Sequence, residues 1–258
     1  MHLDVLDLRA FYRSPLGSVA RRVIARHIRT KWRKLSGQTL IGIGYATPYI
    51  GSYRGEVLRL GAFMPAGQGA VVWPSGSQVN TVMVEEDSLP LPDNSIDKIL
   101  LIHGLEVSEH ARPLMREIWR ILAPEGRVMI VVPNRMGVWS RRDATPFGHG
   151  HPYSRPQLQK LLQDSMFSPL DWTTALHAVP VNRPIVARWA HVFERLGSRF
   201  WPRFAGVLIV EARKELQAPI PTSVSARRVG KFATADGVVS RSSPERISKI
   251  RATKPKTD

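Results

Sequence analysis

Residues 85–106, EEDSLPLPDNSIDKILLIHGLE, and residues 115–133, MREIWRILAPEGRVMIVVP, decide the fold of this chain. The first stretch contains the apolar run KILLI, and the second contains RVMIVV. Between these runs Leu114, Ile118 and Ile121 recur at steps of four and three, the spacing that keeps side chains on one face of a helix. A strand, a helix and a strand in this order predict a parallel sheet that helices cover on both faces.

The same alternation extends to both sides of this unit. Ser154 and Gln157 form a capping box, which predicts the start of another helix. Short apolar runs predict seven strands in all, at residues 39–44, 70–73, 81–84, 98–102, 127–132, 172–177 and 206–212. The predicted fold class is therefore α/β, with a mostly parallel sheet of seven strands.

Several short motifs within and between these runs carry a family resemblance. They are Leu89-Pro90-Leu91-Pro92-Asp93, Ile96-Asp97, Leu105-Glu106, Arg116-Glu117, Arg120-Ile121-Leu122 and Pro124-Glu125-Gly126. In this order and at this spacing they resemble the type-11 methyltransferase domain of the class I S-adenosylmethionine-dependent methyltransferases, over about residues 38–213. The resemblance implies a Rossmann-like fold whose last strand is antiparallel, with S-adenosylmethionine bound at the carboxyl ends of the first four strands.

The resemblance also implies which residues meet the cofactor. Gly44 falls on a glycine of the loop that lies against the methionine part, and Glu85 falls on the acidic position that meets the adenine amino group. His103 stands at the end of strand four, where the cofactor's sulfur and the substrate meet. The expected cofactor-binding residues are Gly42, Gly44, Tyr45, Trp73, Glu85, Glu86, Asp87, His103 and Gly104.

Two acids of the family pattern are replaced in this chain. The acid of strand one aligns with Gly42, and the acid that takes the ribose hydroxyls aligns with Trp73. Each lost hydrogen bond to a charged group costs about 1.5–3 kcal/mol, so the two losses together weaken cofactor binding by roughly a hundredfold or more. Trp73 has two interpretations, stacking on the adenine or plain packing.

Residues 133–157 form a long loop after the fifth predicted strand. Loops of this length without regular structure tend to be functional. His149 and His151 have no third ligand at a recognisable spacing, so we expect no metal site. The loop offers His149 and Tyr153 as candidate catalytic bases, and as candidate substrate-binding residues Arg135, Trp139, Arg141 and Arg142.

Charge is concentrated at the two ends of the chain. Lys and Arg number 37 against 21 Asp and Glu, which gives a net charge of +16. Residues 1–38 hold +7 and residues 218–258 hold +6. Ser14-Pro15 starts a predicted basic amphipathic helix, whereas 218–258 lack apolar periodicity and read as a disordered tail. These ends allow contact with nucleic acid, but a small anionic substrate at the loop arginines is the preferred expectation.

Composition excludes several classes of protein. There is no cysteine, which excludes disulfides and thiolate metal sites, and no apolar stretch is long enough to span a membrane. The start of the chain lacks the features of a secretory signal, so we expect a cytoplasmic protein. The predicted organisation is a cap region at 1–38, a methyltransferase-like domain at 39–217 and the tail.

Two interpretations of function remain open at this point. The first is an S-adenosylmethionine-dependent methyltransferase that acts on an unidentified substrate. The second is a non-catalytic relative that keeps the fold as a binding or regulatory protein, because fold alone does not establish activity.

Overall fold

A computed structural model describes residues 3–76, 78–180, 197 and 201–216. The chain divides into two units, Met1–Pro219 and Ile220–Asp258. The predicted disordered tail, 218–258, lies outside the described residues, and the predicted boundaries of the cap region and the methyltransferase-like domain stay predictions.

The predicted α/β fold is confirmed. Seven strands form one sheet in the order β3-β2-β1-β4-β5-β7-β6. Strands β1 to β5 pair in parallel, and β7 is antiparallel to both of its neighbours. The strands are β1 (Thr39–Gly44), β2 (Arg59–Pro65), β3 (Thr81–Val84), β4 (Ile96–Ile102), β5 (Leu122–Pro133), β6 (Phe167–Ala175) and β7 (Val207–Lys214).

Local capping signals position the helices. Ser14 caps the second helix by accepting a hydrogen bond from the Gly17 N–H at 3.0 Å, as its sequence predicts. The predicted capping box of Ser154 and Gln157 is present. The helices are α1 (Val5–Arg13), α2 (Pro15–Lys31), α3 (Thr47–Ile50), α4 (Ala111–Ile121) and α5 (Arg155–Asp164).

The second strand lies elsewhere than predicted. The structure places it at Arg59–Pro65, between β1 and β3, and residues 70–73 are not a strand. Val72 is 72% exposed, which a central strand buried on both faces does not allow. Trp73 therefore lies eight residues beyond the end of β2, in the connection to β3, and its expected position at the end of strand two is wrong.

Two apolar layers enclose the sheet. On one face Ile24 and Ile28 of α2 pack with alternate strand residues such as Leu100, whereas on the other face Ile118 of α4 packs with residues such as Ile99. Successive strand side chains point to opposite faces, so neighbours in sequence are sorted between the two layers. Gly44 pairs with Ile102, and the carboxyl ends of β1 and β4 thus meet at one edge of the sheet.

Candidate active site

Two glycines let the loops after β1 and β4 touch. Gly44 has φ +79°, and an added Cβ there would overlap the Ile102 carbonyl oxygen. That oxygen accepts a hydrogen bond from the Tyr45 N–H at 2.9 Å. An added Cβ on Gly104 would lie 2.9 Å from a methyl carbon of Leu101 and 3.6 Å from the Gly44 Cα. Gly44 cannot carry a side chain in this conformation, and both glycines are buried where the two loops meet.

The structure explains the missing acid of strand one. Helix α3 packs directly on Gly42, where an added Cβ would lie 2.5 Å from the Ala46 Cβ and 3.0 Å from the Ile50 Cδ1. A carboxylate side chain has no room at this position without displacement of α3. The aromatic and apolar α3 segment has replaced the acid, and any ligand must be held by other groups.

A cavity of about 250 Å³ opens at the carboxyl ends of β2 and β3. Glu85 and Asp87 are exposed within it, and Glu86 accepts a hydrogen bond from the Ser108 hydroxyl. Three of the expected cofactor residues are thus gathered in one place. The cavity is lined by Leu3, Pro65, Ala66, Gly67, Gln68, Glu85, Glu86, Asp87, Val107, Glu109 and His110.

Gln68 joins this cavity to the neighbouring loop. Its side-chain Nε2 donates to the His103 carbonyl oxygen at 2.8 Å, and its backbone carbonyl accepts from the Val5 N–H at 2.9 Å. The side-chain oxygen of Gln68 is buried and has no partner. A buried acceptor without a donor costs about 1–3 kcal/mol, so a ligand hydroxyl or amine would stabilise this site. Sequence reasoning missed Gln68 because it misplaced β2.

Beside the cavity, a buried chain of polar groups connects α1 to the loop after β4. The Tyr49 hydroxyl donates to the Tyr12 oxygen at 2.8 Å, and the Tyr12 hydroxyl lies 2.7 Å from the His103 Nε2. The His103 Nδ1 lies 3.2 Å from the Glu106 Oε1. The side chain of His103 is 2% exposed and that of Glu106 is 1% exposed.

Aromatic rings surround the Tyr12 hydroxyl. The Tyr12 ring stacks on Tyr45 at a centroid distance of 5.7 Å, and it meets the edge of Tyr49 at 5.8 Å. The Phe147 ring covers the imidazole of His103 at 4.9 Å. Burial raises the pKa of Tyr12, with smaller contributions from Tyr49 and Glu106, and burial also raises the pKa of Tyr49. Both phenols therefore stay protonated.

The raised pKa values leave both phenols with a proton to donate. The Tyr49 hydroxyl donates to the Tyr12 oxygen, and the Tyr12 hydroxyl contacts the His103 Nε2. With the imidazole proton on Nδ1, Nε2 accepts from Tyr12 and the ring N–H is directed toward Glu106. A hydroxyl, an imidazole and a carboxylate in sequence can move a proton from the hydroxyl to the imidazole.

The candidate substrate residues of the loop after β5 lie apart from the cavity. Trp139 is buried and donates its Nε1–H to the Ala178 carbonyl oxygen at 2.7 Å. Arg142 is exposed and donates to the Pro180 carbonyl oxygen at 3.1 Å. Arg135 and Arg141 are exposed. Within the described part of the chain, none of these four side chains lines the cavity.

The two candidate bases lie in different surroundings. The His149 Nε2 lies 2.8 Å from the Asp143 carbonyl oxygen in its own loop. Tyr153 is half-buried, and burial, followed by the charge of Glu106, raises its pKa to about 12. Tyr153 thus lies near the buried chain, although its hydroxyl remains protonated near neutral pH. Among the described residues, no group of three His, Asp or Glu side chains could hold a metal ion.

Trp73 packs near Gly51 and Arg54 in the segment after β1. An added Cβ on Gly51 would lie 3.5 Å from its ring, and the Arg54 guanidinium lies 5.4 Å above the ring. It does not line the cavity. Besides Gln68, Tyr12 and Glu106 are functional candidates to which sequence reasoning gave no role. Asp4, which caps α1, and the buried Val5, Leu8 and Tyr12 were the available signal for this helix.

A family model described as a methyltransferase domain matches residues 66–130. The matched segment runs from the turn after β2 to the middle of β5, and it includes the cavity acids, His103 and Glu106. No curated protein matches the chain.

Solved structures with the same fold come from diverse sources. A possible histamine N-methyltransferase from Thermotoga maritima is 12% identical, with a TM-score of 0.56, and the match covers 82% of this chain and 96% of that one. A SAM-dependent methyltransferase from Archaeoglobus fulgidus is 14% identical, with a TM-score of 0.54 and coverages of 75% and 94%. The cyclase SpnF is 20% identical, with a TM-score of 0.52 and coverages of 77% and 82%. At these identities the likeness concerns the fold.

No helix in the described part of the chain is both long and apolar enough to cross a membrane.

Proposed function

We propose that this chain is a class I S-adenosylmethionine-dependent methyltransferase, and that it binds the adenosine half of that cofactor in the cavity at the ends of β2 and β3. The observation that carries the proposal is the unpartnered, buried oxygen of Gln68 beside three clustered carboxylates. A nucleoside has hydroxyl and amino donors, and the Gln68 oxygen lacks such a donor.

The residues of the cavity fit the adenosine half. Glu85, Glu86 and Asp87 offer acceptors for the adenine amino group, and Gln68 offers one for a ribose hydroxyl. Gln68 then takes the place of the acid that the family pattern has at the end of strand two. A neutral amide gives a weaker hydrogen bond than a carboxylate, so we expect modest cofactor affinity.

The methionine half would meet the backbone of the touching loops. Gly44 and Gly104 bring these loops into contact there, and Gly42 supplies no carboxylate for the ammonium group. When bound, S-adenosylmethionine supplies a methyl group on a positively charged sulfur. The chain itself contributes the alignment of the acceptor and the exclusion of water, because His103 is 1% exposed and contacts Tyr12 and Phe147.

Calorimetry with S-adenosylhomocysteine tests this proposal. The wild-type chain should bind it, and Gln68→Leu should weaken binding roughly fivefold, because one hydrogen bond contributes about 1 kcal/mol. Gln38→Leu is a matched control, since Gln38 also has a buried side-chain oxygen without a partner, at the opposite edge of the sheet. Its affinity should not change. A wild-type chain that gives no heat at millimolar ligand would favour the non-catalytic interpretation.

A further inference from the structure

The order of Tyr12, His103 and Glu106 is that of a proton-transfer chain. A hydroxyl lies 2.7 Å from one imidazole nitrogen, and a carboxylate oxygen lies 3.2 Å from the other. The same order of groups occurs where a histidine next to an acid removes a proton from a hydroxyl, although here the acid contacts the imidazole without an aligned hydrogen bond. In this chain the hydroxyl belongs to a tyrosine on α1.

The burial of Glu106 favours proton uptake by its neighbour. Both of its carboxylate oxygens are buried without a hydrogen-bond partner, because the contact with His103 lacks hydrogen-bond alignment. An unpaired buried carboxylate is unfavourable. A proton gained by His103 would create a cation 3.2 Å away and compensate that charge. The carboxylate therefore lies where it can stabilise the imidazolium that proton transfer to Nε2 creates.

The groups around the Tyr12 ring would also suit the phenol ring of a separate molecule. The stacked ring of Tyr45 and the edge of Tyr49 form the walls, and the Tyr49 hydroxyl donates to the phenol oxygen. Tyr12 is held in this place by α1, through buried Leu8 and through the hydrogen bond of Val5 to Gln68.

We propose that His103 is the catalytic base, that Glu106 is its positioning residue, and that Tyr12 occupies the place of a phenol-class acceptor. This inference rests on the proposed methyltransferase function. The acceptor's hydroxyl proton goes to the His103 Nε2, and an oxygen lone pair forms the bond to the methyl carbon. The pair of the broken carbon–sulfur bond stays on sulfur. The products are S-adenosylhomocysteine, a methyl ether and a His103 cation beside Glu106.

The test removes the Tyr12 side chain by substitution and supplies the same phenol group as a small molecule, p-cresol. Tyr12→Ala should bind p-cresol by calorimetry and, with S-adenosylmethionine, convert it to its methyl ether, detected by mass spectrometry. Tyr12→Phe is the control, because its ring fills the same space and should abolish both. Tyr12→Ala with Glu106→Gln should still bind p-cresol but lose roughly a hundredfold in rate at neutral pH. The loss should shrink as the pH rises and the phenol ionises unaided.

Helix α1 offers a second route if Tyr12→Ala does not fold. Leu8 is fully buried and Leu6 is 60% exposed on the same helix, so Leu8→Ala should loosen α1 and allow p-cresol methylation, whereas Leu6→Ala should not. The inference is overturned if S-adenosylhomocysteine binds but p-cresol does not, or if both bind without formation of the ether. It is also overturned if Glu106→Gln leaves the rate and its pH profile unchanged. Failure of S-adenosylhomocysteine to bind any variant would instead reject the proposed function itself.

Discussion

Two halves of the same sheet edge differ in their exposure to water. At the ends of β1 and β4, Tyr12, His103 and Glu106 form a buried polar chain under aromatic rings. At the ends of β2 and β3, Glu85 and Asp87 are exposed around an open cavity. We call the first the dry half, because its polar groups are shielded from water. We call the second the open half, because a ligand in solution can reach its acceptors.

The difference begins in the loops that follow the strands. The loop after β1 carries Tyr45 and Tyr49, whose rings fill space around Tyr12. The loop after β3 carries acids that cannot be buried without partners. The dry half therefore depends on packing and backbone contact, whereas the open half depends on single polar groups. Substitutions in the two halves should differ accordingly in size.

Gly44→Ala should have the strongest effect, in the dry half. The new Cβ would sit on a residue with a left-handed backbone and would overlap the Ile102 carbonyl oxygen. We therefore expect the free energy of unfolding to fall by about 4 kcal/mol. Gly55→Ala is the matched control, because Gly55 has φ +78° and no atom within 4 Å of an added Cβ. It should lose about 1 kcal/mol. Urea denaturation measures both, and equal losses would show that the loop contact contributes nothing.

Leu8→Ala should be the next most severe change. Leu8 is completely buried in α1, so its truncation should lower the free energy of unfolding by about 3 kcal/mol. Leu6→Ala on the exposed face should stay within about 0.5 kcal/mol of the wild type. Chemical denaturation of both variants tests whether α1 is an integral part of the dry half. Similar midpoints for the two variants would mean that it is not.

Much of the sheet was accessible from the sequence, but the dry half was not. Strands such as β4 and β5 contain continuous apolar runs. The capping box of Ser154 is a local signal that predicts the start of α5. In β2 the apolar residues follow Arg59 and enclose Gly61, which weakens the signal of a buried strand. The contact of Tyr12 with His103 joins residues 91 positions apart, and no local pattern reports such a pairing.

Alkaline pH should act on the dry half. Burial raises the pKa of Tyr12 and that of Tyr49. A phenol with a raised pKa in the folded state contributes stability that is complete below its unfolded pKa of about 10 and is lost as pH rises through the folded value. The melting temperature should therefore fall steeply above about pH 10.

Tyr49→Phe provides the control for this pH dependence. It removes one buried ionisable phenol, so its melting temperature should fall less steeply with alkaline pH than that of the wild type, whatever its value at neutral pH. Thermal melts across the alkaline range give both slopes. Parallel curves for the two proteins would contradict the assignment of this loss to the buried phenols.

Glu85→Ala should have the smallest effect, in the open half. Glu85 is exposed, and an exposed carboxylate contributes only about 0.6 kcal/mol to a polar contact, or roughly threefold in the affinity for S-adenosylhomocysteine. Glu125→Ala, an exposed acid whose carboxylate pairs with Arg213, should leave the affinity unchanged. Calorimetric titrations of both variants provide the comparison. A loss of a hundredfold for Glu85→Ala would place this residue in a far drier site.

Hydrogen exchange with and without S-adenosylhomocysteine tests the central claim most directly, since it maps where the ligand lies without knowledge of the acceptor. The account predicts slower exchange at residues 65–68, 85–87 and 103–107, which line the cavity or adjoin it, and no change at residues 124–127 on the opposite edge. Protection at 124–127, or no protection at the cavity segments when the ligand is saturating, would contradict it.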